Sequence, residues 1–144
     1  MISMTPAMAE LLNTALSDGT PCLVGTASKG GDPQISPKGS VAVLDEKTLS
    51  YWERSNRSSI AHIRENPRVV VYYRNGARAK EYAGGALRFH GTARGVESGP
   101  LREKAWEKTV PAEQEKDPDK KGVAILIDVE KIELLSGAAV MKRD

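Results

Sequence analysis

One cysteine, one phenylalanine, two tryptophans and two histidines are all that this 144-residue chain holds of its scarcest side chains. Each shortage closes off a class of protein. A lone Cys22 excludes an internal disulfide and a cysteine-rich zinc site, and its place in an apolar stretch marks it as a buried, inert thiol. His62 and His90 stand far apart with no ligand spacing between them, so no metal site is expected. No apolar run approaches membrane-spanning length, and the N-terminus shows no charged segment leading into an apolar one. The expectation is a soluble, cytoplasmic protein with no membrane partner. An excess of one charge is missing too. Twenty-one basic residues are interspersed with nineteen acidic ones for a net +2, and aromatic residues are only 5%. Nucleic-acid binding is therefore not expected. Also absent are a glycine-rich phosphate loop running into a long helix, a nucleophile motif and an internal repeat.

What is present is ordinary globular composition, 40% hydrophobic and 28% charged, in a chain of single-domain length over residues 1–144. Thr5-Pro6 predicts a helix start, with Ala7, Met8, Leu11, Leu12, Ala15 and Leu16 on one face and Gly19 as the stop. This makes 1–19 an N-terminal helix segment. Strands are predicted over 21–28, 34–44, 48–52, 68–74, 86–96 and 123–135, with helices over 58–65 and 100–110. Pro37 and Gly39 make the second strand an edge or a bulged one. After the pair Asn75-Gly76 the weak pattern of 77–85 predicts a long, mobile connection rather than a tight hairpin. The charged stretch 113–121 reads as an exposed, mobile loop, and 136–144 as a tail. Leu101, Ala105 and Trp106 form an apolar stripe on the late helix that reads as packing. Tyr72 and Tyr73 point to opposite faces, one toward the core and one free to reach an interface. Regular turn spacing then predicts a mainly β fold: a closed or partly closed barrel of six strands with short flanking helices.

The chemistry concentrates in 49–73, LSYWERSNRSSIAHIRENPRVVVYY. It reads as strand, polar loop, short helix and buried strand. The loop sets Arg57, Ser58 and Ser59 where the helix begins. Unpaired N–H groups and the positive end of the helix dipole meet there, and hydroxyls with a guanidinium complete a seat for phosphate. Serines at a helix start also serve as plain caps, and the residues alone leave both uses open. Lys38 and Ser40 share one strand face, and His90, with a side chain that titrates near neutrality, is a candidate acid or base.

Three phrases in this order and spacing resemble a known family: Pro33-Gln34-Ile35-Ser36-Pro37-Lys38-Gly39, then Arg57-Ser58-Ser59-Ile60 through Arg64-Glu65-Asn66-Pro67-Arg68-Val69, then Arg88-Phe89-His90-Gly91-Thr92-Ala93. The chain is similar to the FMN-binding split barrels related to pyridoxamine 5′-phosphate oxidase. The resemblance implies a six-stranded antiparallel split β-barrel of Greek-key type, and a homodimer with two FMN sites at the subunit interface. It places the phosphate on Arg57, Ser58 and Ser59, and sets Ser36, Lys38 and Ser40 toward the phosphate and ring. It turns the backbone at Pro37 and Gly39 to the ring, and draws Arg88 and His90 from the partner subunit. Two departures matter. The oxidase's C-terminal signature rich in Trp, Arg and Pro is replaced by 134–140, LLSGAAV, so vitamin B6 oxidation is not expected. Ser59 also stands where the family often has lysine, which leaves the phosphate to Arg57 with help from Lys38.

The expected function is flavin-dependent oxidoreduction, with hydride passing between FMN and a small-molecule donor or acceptor. The flavin would carry the redox chemistry, the protein orientation and electrostatics, and no side chain is assigned as catalytic. Two alternatives stand beside it: a flavin carrier or sensor without turnover, and a deazaflavin-dependent reductase on the same fold.

Overall fold

Short alternating runs broken by glycine and proline turns give a mainly antiparallel β structure. The computed structural model describes residues 1–54, 58–78, 80 and 82–144, apart from the Ser58 side chain. Helix α1 (Pro6–Thr14) starts as its sequence requires, with Thr5 Oγ1 accepting the Met8 amide at 3.2 Å and Pro6 at the first turn. Met8, Leu11, Leu12 and Ala15 are buried, whereas Ala7 of the expected face is exposed.

Strands β1 (Cys22–Ala27) and β2 (Pro33–Lys38) form a hairpin whose turn uses Gly31 at φ 90°. The expected strand 34–44 is two strands, since pairing stops at Lys38 and resumes in β3 (Ala42–Asp45). Next come β4 (Thr48–Glu53), α2 (Ser58–Glu65), β5 (Arg68–Arg74) and β6 (Ala86–Val96). The chain continues through α3 (Pro100–Lys108), α4 (Pro111–Gln114), β7 (Val123–Glu133) and β8 (Ala139–Lys142). The sheet order is β2-β1-β5-β6-β7-β4-β3, with β8 added on β7. β2 lies at the sheet edge, where a proline costs no ladder hydrogen bond. The sheet thus has eight strands rather than the six read from the sequence. The second strand breaks at Gly39, and the supposed tail pairs back through Ile132↔Met141.

The sheet coils. β2 and β4 lie five places apart in the strand order, yet Lys38 at the end of β2 reaches Glu53 at the end of β4 at 2.6 Å. Inside the coil one apolar core joins Val24, Leu49, Tyr51, Val71, Tyr73, Phe89, Ile125 and Ile127 to α1. A second cluster of Leu44, Trp52, Ala105, Ala124 and Leu126 seats α3, with Trp106 edge-on to Trp52 at 4.8 Å. Trp106 therefore packs, as its stripe predicts. Cys22 is buried in the main core, and the loss of solvent pushes its thiol up to about 12.

β5 and β6 pair down to Arg74↔Ala86, and Asn75 donates its amide to the Gly85 carbonyl at 2.9 Å, so the link over 75–85 is longer than a tight hairpin. The stretch 113–121, by contrast, is not a free loop. It contains part of α4, and the side chains of Glu113 and Asp117 are buried.

Tyr51 carries one anomaly. Its hydroxyl lies in the core and has no hydrogen-bond partner among the described residues. A buried hydroxyl without a partner costs about 1 kcal/mol or more. Tyr51→Phe is therefore expected to hold or raise stability by about 1 kcal/mol, read as the denaturation midpoint at constant slope.

Candidate functional site

Antiparallel pairing fixes which way each candidate side chain points. Val24↔Ser36 and Cys22↔Lys38 are paired, and paired residues share a face. Ser36 and Lys38 therefore face the inside of the coil with the buried Cys22 and Val24. Pro37, paired with Leu23, faces outward and is exposed.

At the inner seam, three elements meet around one carboxylate. Glu53, whose side chain is 4% exposed, receives Lys38 Nζ at 2.6 Å and the Ser59 hydroxyl at 3.1 Å, both on Oε2. Lys38 Nζ also stands 6.0 Å over the Tyr51 ring. Burial, then the charge of Glu53, push the Tyr51 phenol well above its ordinary range. Ser59 sits in the first turn of α2, as the sequence predicts. Arg57 lies outside the described residues, as does the Ser58 side chain.

Two neighbours have other work. Ser40 is buried, and its hydroxyl accepts the Trp52 amide at 2.9 Å and donates to the Trp52 carbonyl at 3.3 Å. It ties the end of β2 to β4. A Cβ on Gly39 would stand 3.0 Å from Glu113 Oε1 and from both Leu16 methyls, so the groups approaching that glycine are protein side chains.

Arg88 and His90 lie on the opposite, outer face. They alternate with the buried Leu87 and Phe89 and pair with the half-buried Tyr72 and Val70. Here too a carboxylate is the hub. Glu133 Oε1 accepts Arg88 Nη1 at 2.9 Å and His90 Nε2 at 2.8 Å, and Lys131 Nζ lies 3.2 Å from Oε2. A carboxylate accepts only, so His90 Nε2 carries the proton. The hydrogen bond from His90 lowers the pKa of Glu133 most. Burial opposes it, and Lys131 and Arg88 add to the lowering, bringing it to about 2. Arg88 also donates to the Leu135 carbonyl at 3.2 Å. Beside this hub runs an open groove lined by Gly25, Pro33, Ile35, Arg68, Val70 and His90. Ile35 is 70% exposed. Tyr73 is in the core and Tyr72 on this face, so the pair divides as expected.

Sequence reasoning missed both hubs. Glu53 closes an apolar strand and Glu133 a β-branched one. Only the folded register shows that each meets cations from a distant strand.

A sequence profile for pyridoxamine 5′-phosphate oxidase matches residues 4–136. The chain belongs to that family. Its split-barrel class is shared by solved structures of family members and their neighbours. HupZ of Group A Streptococcus is 25% identical, with 96% of this chain and 99% of that one covered and a TM-score of 0.74. An FMN-binding protein from Syntrophomonas wolfei subsp. wolfei is 10% identical over 94% and 88%, with a TM-score of 0.66. An F420 reductase is 19% identical over 78% and 87%, with a TM-score of 0.56. At those last two identities the likeness is one of fold. A comparison with curated proteins found no match. Among the described residues no group of His, Cys, Asp and Glu is placed to hold a metal ion. No helix among them is long and apolar enough to cross a membrane.

A flavin phosphate can be tested against these residues. An ammonium and a hydroxyl converging from β2 and α2 suit a phosphate in kind, but both are turned to Glu53. The donors fit, with a carboxylate now engaging them.

Proposed function

We infer that this protein binds FMN at two sites built between two copies of the chain, and acts as an oxidoreductase on a small molecule. The observation that carries this reading is the division of the candidate ligand residues between opposite faces of one sheet. Lys38 and Ser59 lie at the inner seam, while Arg88 and His90 lie outside, beside the exposed Ile35. A second copy packed on this outer face covers the exposed Ile35 and sets its Arg88 and His90 beside the neighbouring seam. Family membership supports a flavin as the ligand that joins the two.

Bound flavin supplies the hydride chemistry, and the protein supplies its position and electrostatic surroundings. Lys38 and Ser59 would hold the phosphate, with Arg57 and Ser58 assigned on sequence grounds. Ser36, on the same strand face as Lys38, would lie toward the ring. Arg88 and His90 would come from the second copy, their orientation set by Glu133.

The test is an absorbance spectrum of the purified protein before and after saturation with FMN and removal of the excess, with the mass in solution measured alongside. Expected are persistent flavin bands near one FMN per chain on a dimer, and weaker retention in Arg57→Ala. A colourless monomer that takes up no FMN sinks the reading. F420, the ligand named for one structural neighbour, is titrated in parallel. Retention of F420 with rejection of FMN transfers the site to a deazaflavin. Reduced flavin that no donor or acceptor turns over leaves a carrier or sensor.

A further inference from the structure

The inner seam holds a feature that phosphate binding does not explain. Lys38 and Ser59 converge from two elements on a single oxygen, Glu53 Oε2, at 2.6 and 3.1 Å. The carboxylate is almost wholly buried and Lys38 is 17% exposed. A carboxylate between an ammonium and a hydroxyl at the first turn of a helix has the charge and hydrogen-bonding pattern of a bound anion.

We propose that Glu53 is an internal competitor for the phosphate seat: it occupies Lys38 and Ser59 in the ligand-free protein and must withdraw for a phosphorylated ligand to bind. The proposal rests on the flavin reading for the identity of the ligand and deepens it by adding a control on affinity. The Ser59 hydroxyl has one proton to give and now gives it to Glu53. A second anion beside that carboxylate meets like-charge repulsion, so a phosphate held by both donors displaces the carboxylate. The competition acts on the phosphate alone. It weakens FMN relative to the same flavin without its phosphate, and it makes occupancy depend on ligand concentration.

Glu53 stands at the last paired residue of β4, opposite Val123. Withdrawal of its side chain therefore leaves the β4–β7 ladder in place. Tyr51, on the same face of β4 as Glu53, lies beneath Lys38, and its ring keeps an apolar, electron-rich floor under the ammonium when the carboxylate leaves.

The test compares the wild-type apoprotein with Glu53→Gln, which keeps size and hydrogen bonding but removes the charge. Each is titrated with FMN and with riboflavin by fluorescence quenching, and with inorganic phosphate by calorimetry. Expected is an FMN dissociation constant about tenfold lower in the variant, with riboflavin unchanged. FMN binding that is unchanged or weaker in a folded variant overturns the competition and leaves the flavin reading standing. If neither protein binds either flavin, the flavin reading fails and phosphate alone decides. Tighter phosphate in Glu53→Gln then sustains an anion seat guarded by Glu53, and equal or absent binding ends the proposal. Should Glu53→Gln not fold by circular dichroism, Glu53→Asp withdraws the charge by one methylene, and the same comparisons apply to it.

Discussion

Gly91→Ala is expected to destabilise the protein by about 3 kcal/mol or more, the upper range for overpacking a tight site. A Cβ built on Gly91 would run into the Asp128 carbonyl oxygen and stand 3.0 Å from its carbon and 3.0 Å from Ile127 Cγ2. The main obstacle is backbone of the adjoining strand, which cannot rotate aside as a side chain can. The site is also the one place where the longest pairing slips: His90 opposes Lys131, but Gly91 opposes Val129, leaving Glu130 as the extra residue on β7. This bulge sets Lys131 and Glu133 against His90 and Arg88. An alanine there should part β6 from β7 and loosen the Glu133 hub along with the core. The check is denaturant unfolding, with Gly95→Ala as control. Its Cβ would meet only Val123 Cγ1 at 3.2 Å and Ile125 Cδ1 at 3.8 Å, side-chain atoms that can yield, so a small change is expected. Equal losses in the two variants would show that β7 relaxes and the bulge is not rigid.

Asp117→Ala is expected to cost about 3–4 kcal/mol, since it strands three donors that a buried carboxylate now satisfies. Asp117 is 9% exposed. Its Oδ2 accepts Trp52 Nε1 at 2.7 Å and the Gly122 amide at 2.8 Å, and its Oδ1 accepts the Lys121 amide at 3.0 Å. Arg102 stacks over the Trp52 ring at 4.8 Å and donates to the carbonyls of Lys120 and Gly122. The latch turns a charged stretch into a fixed strap between α4 and β7. Burial raises the pKa of Asp117, but the hydrogen bonds from Trp52, Lys121 and Gly122 and the charge of Arg102 outweigh it, and the net shift is downward from 3.8. Equilibrium unfolding in denaturant checks the loss, and a cost below about 1 kcal/mol would show that water replaces the carboxylate.

The pH dependence follows from the sign of that shift. A carboxylate with a depressed pKa contributes stability that is present above its unfolded value and is lost as pH falls through its folded value. Asp117 does this below 3.8, and Glu133 between 4.5 and about 2. Melting temperature should therefore fall steeply in acid below pH 4.5, and Glu133→Gln should flatten that fall. A melting temperature independent of pH across this window would remove the electrostatic account of both groups.

Two glutamates organise the basic side chains of the two faces. One neutralises cations on the outer face and fixes the tautomer of His90; the other engages the donors at the inner seam. Each holds the basic side chains around it in a fixed orientation. Glu133 opposes three basic side chains, and Glu53 holds Lys38 and the Ser59 hydroxyl.

Local chemistry determined a good deal of this protein without help from the fold. Thr5-Pro6 capped α1, Asn66-Pro67 ended α2, β-branched runs became β5 and β7, and a proline held β2 at the edge. These signals act within one turn or one strand, so they survive in the sequence alone. The phrases around Pro37, Ser59 and His90 carried the family for the same reason: each is a short, ordered run. What only the tertiary structure decided is long-range. The coiling of the sheet brings Lys38 to Glu53, and the bulge at Gly91 sets His90 and Arg88 on Glu133. The hydrogen bonds to Asp117 strap down a loop that reads as free. Ser40 and Gly39 follow the same rule: their partners, Trp52 in one case and Leu16 and Glu113 in the other, come from other elements. An acidic residue in a strand carries no local sign of the cation it will meet. That pairing is set by register and curvature, which exist only once the sheet has closed around its core.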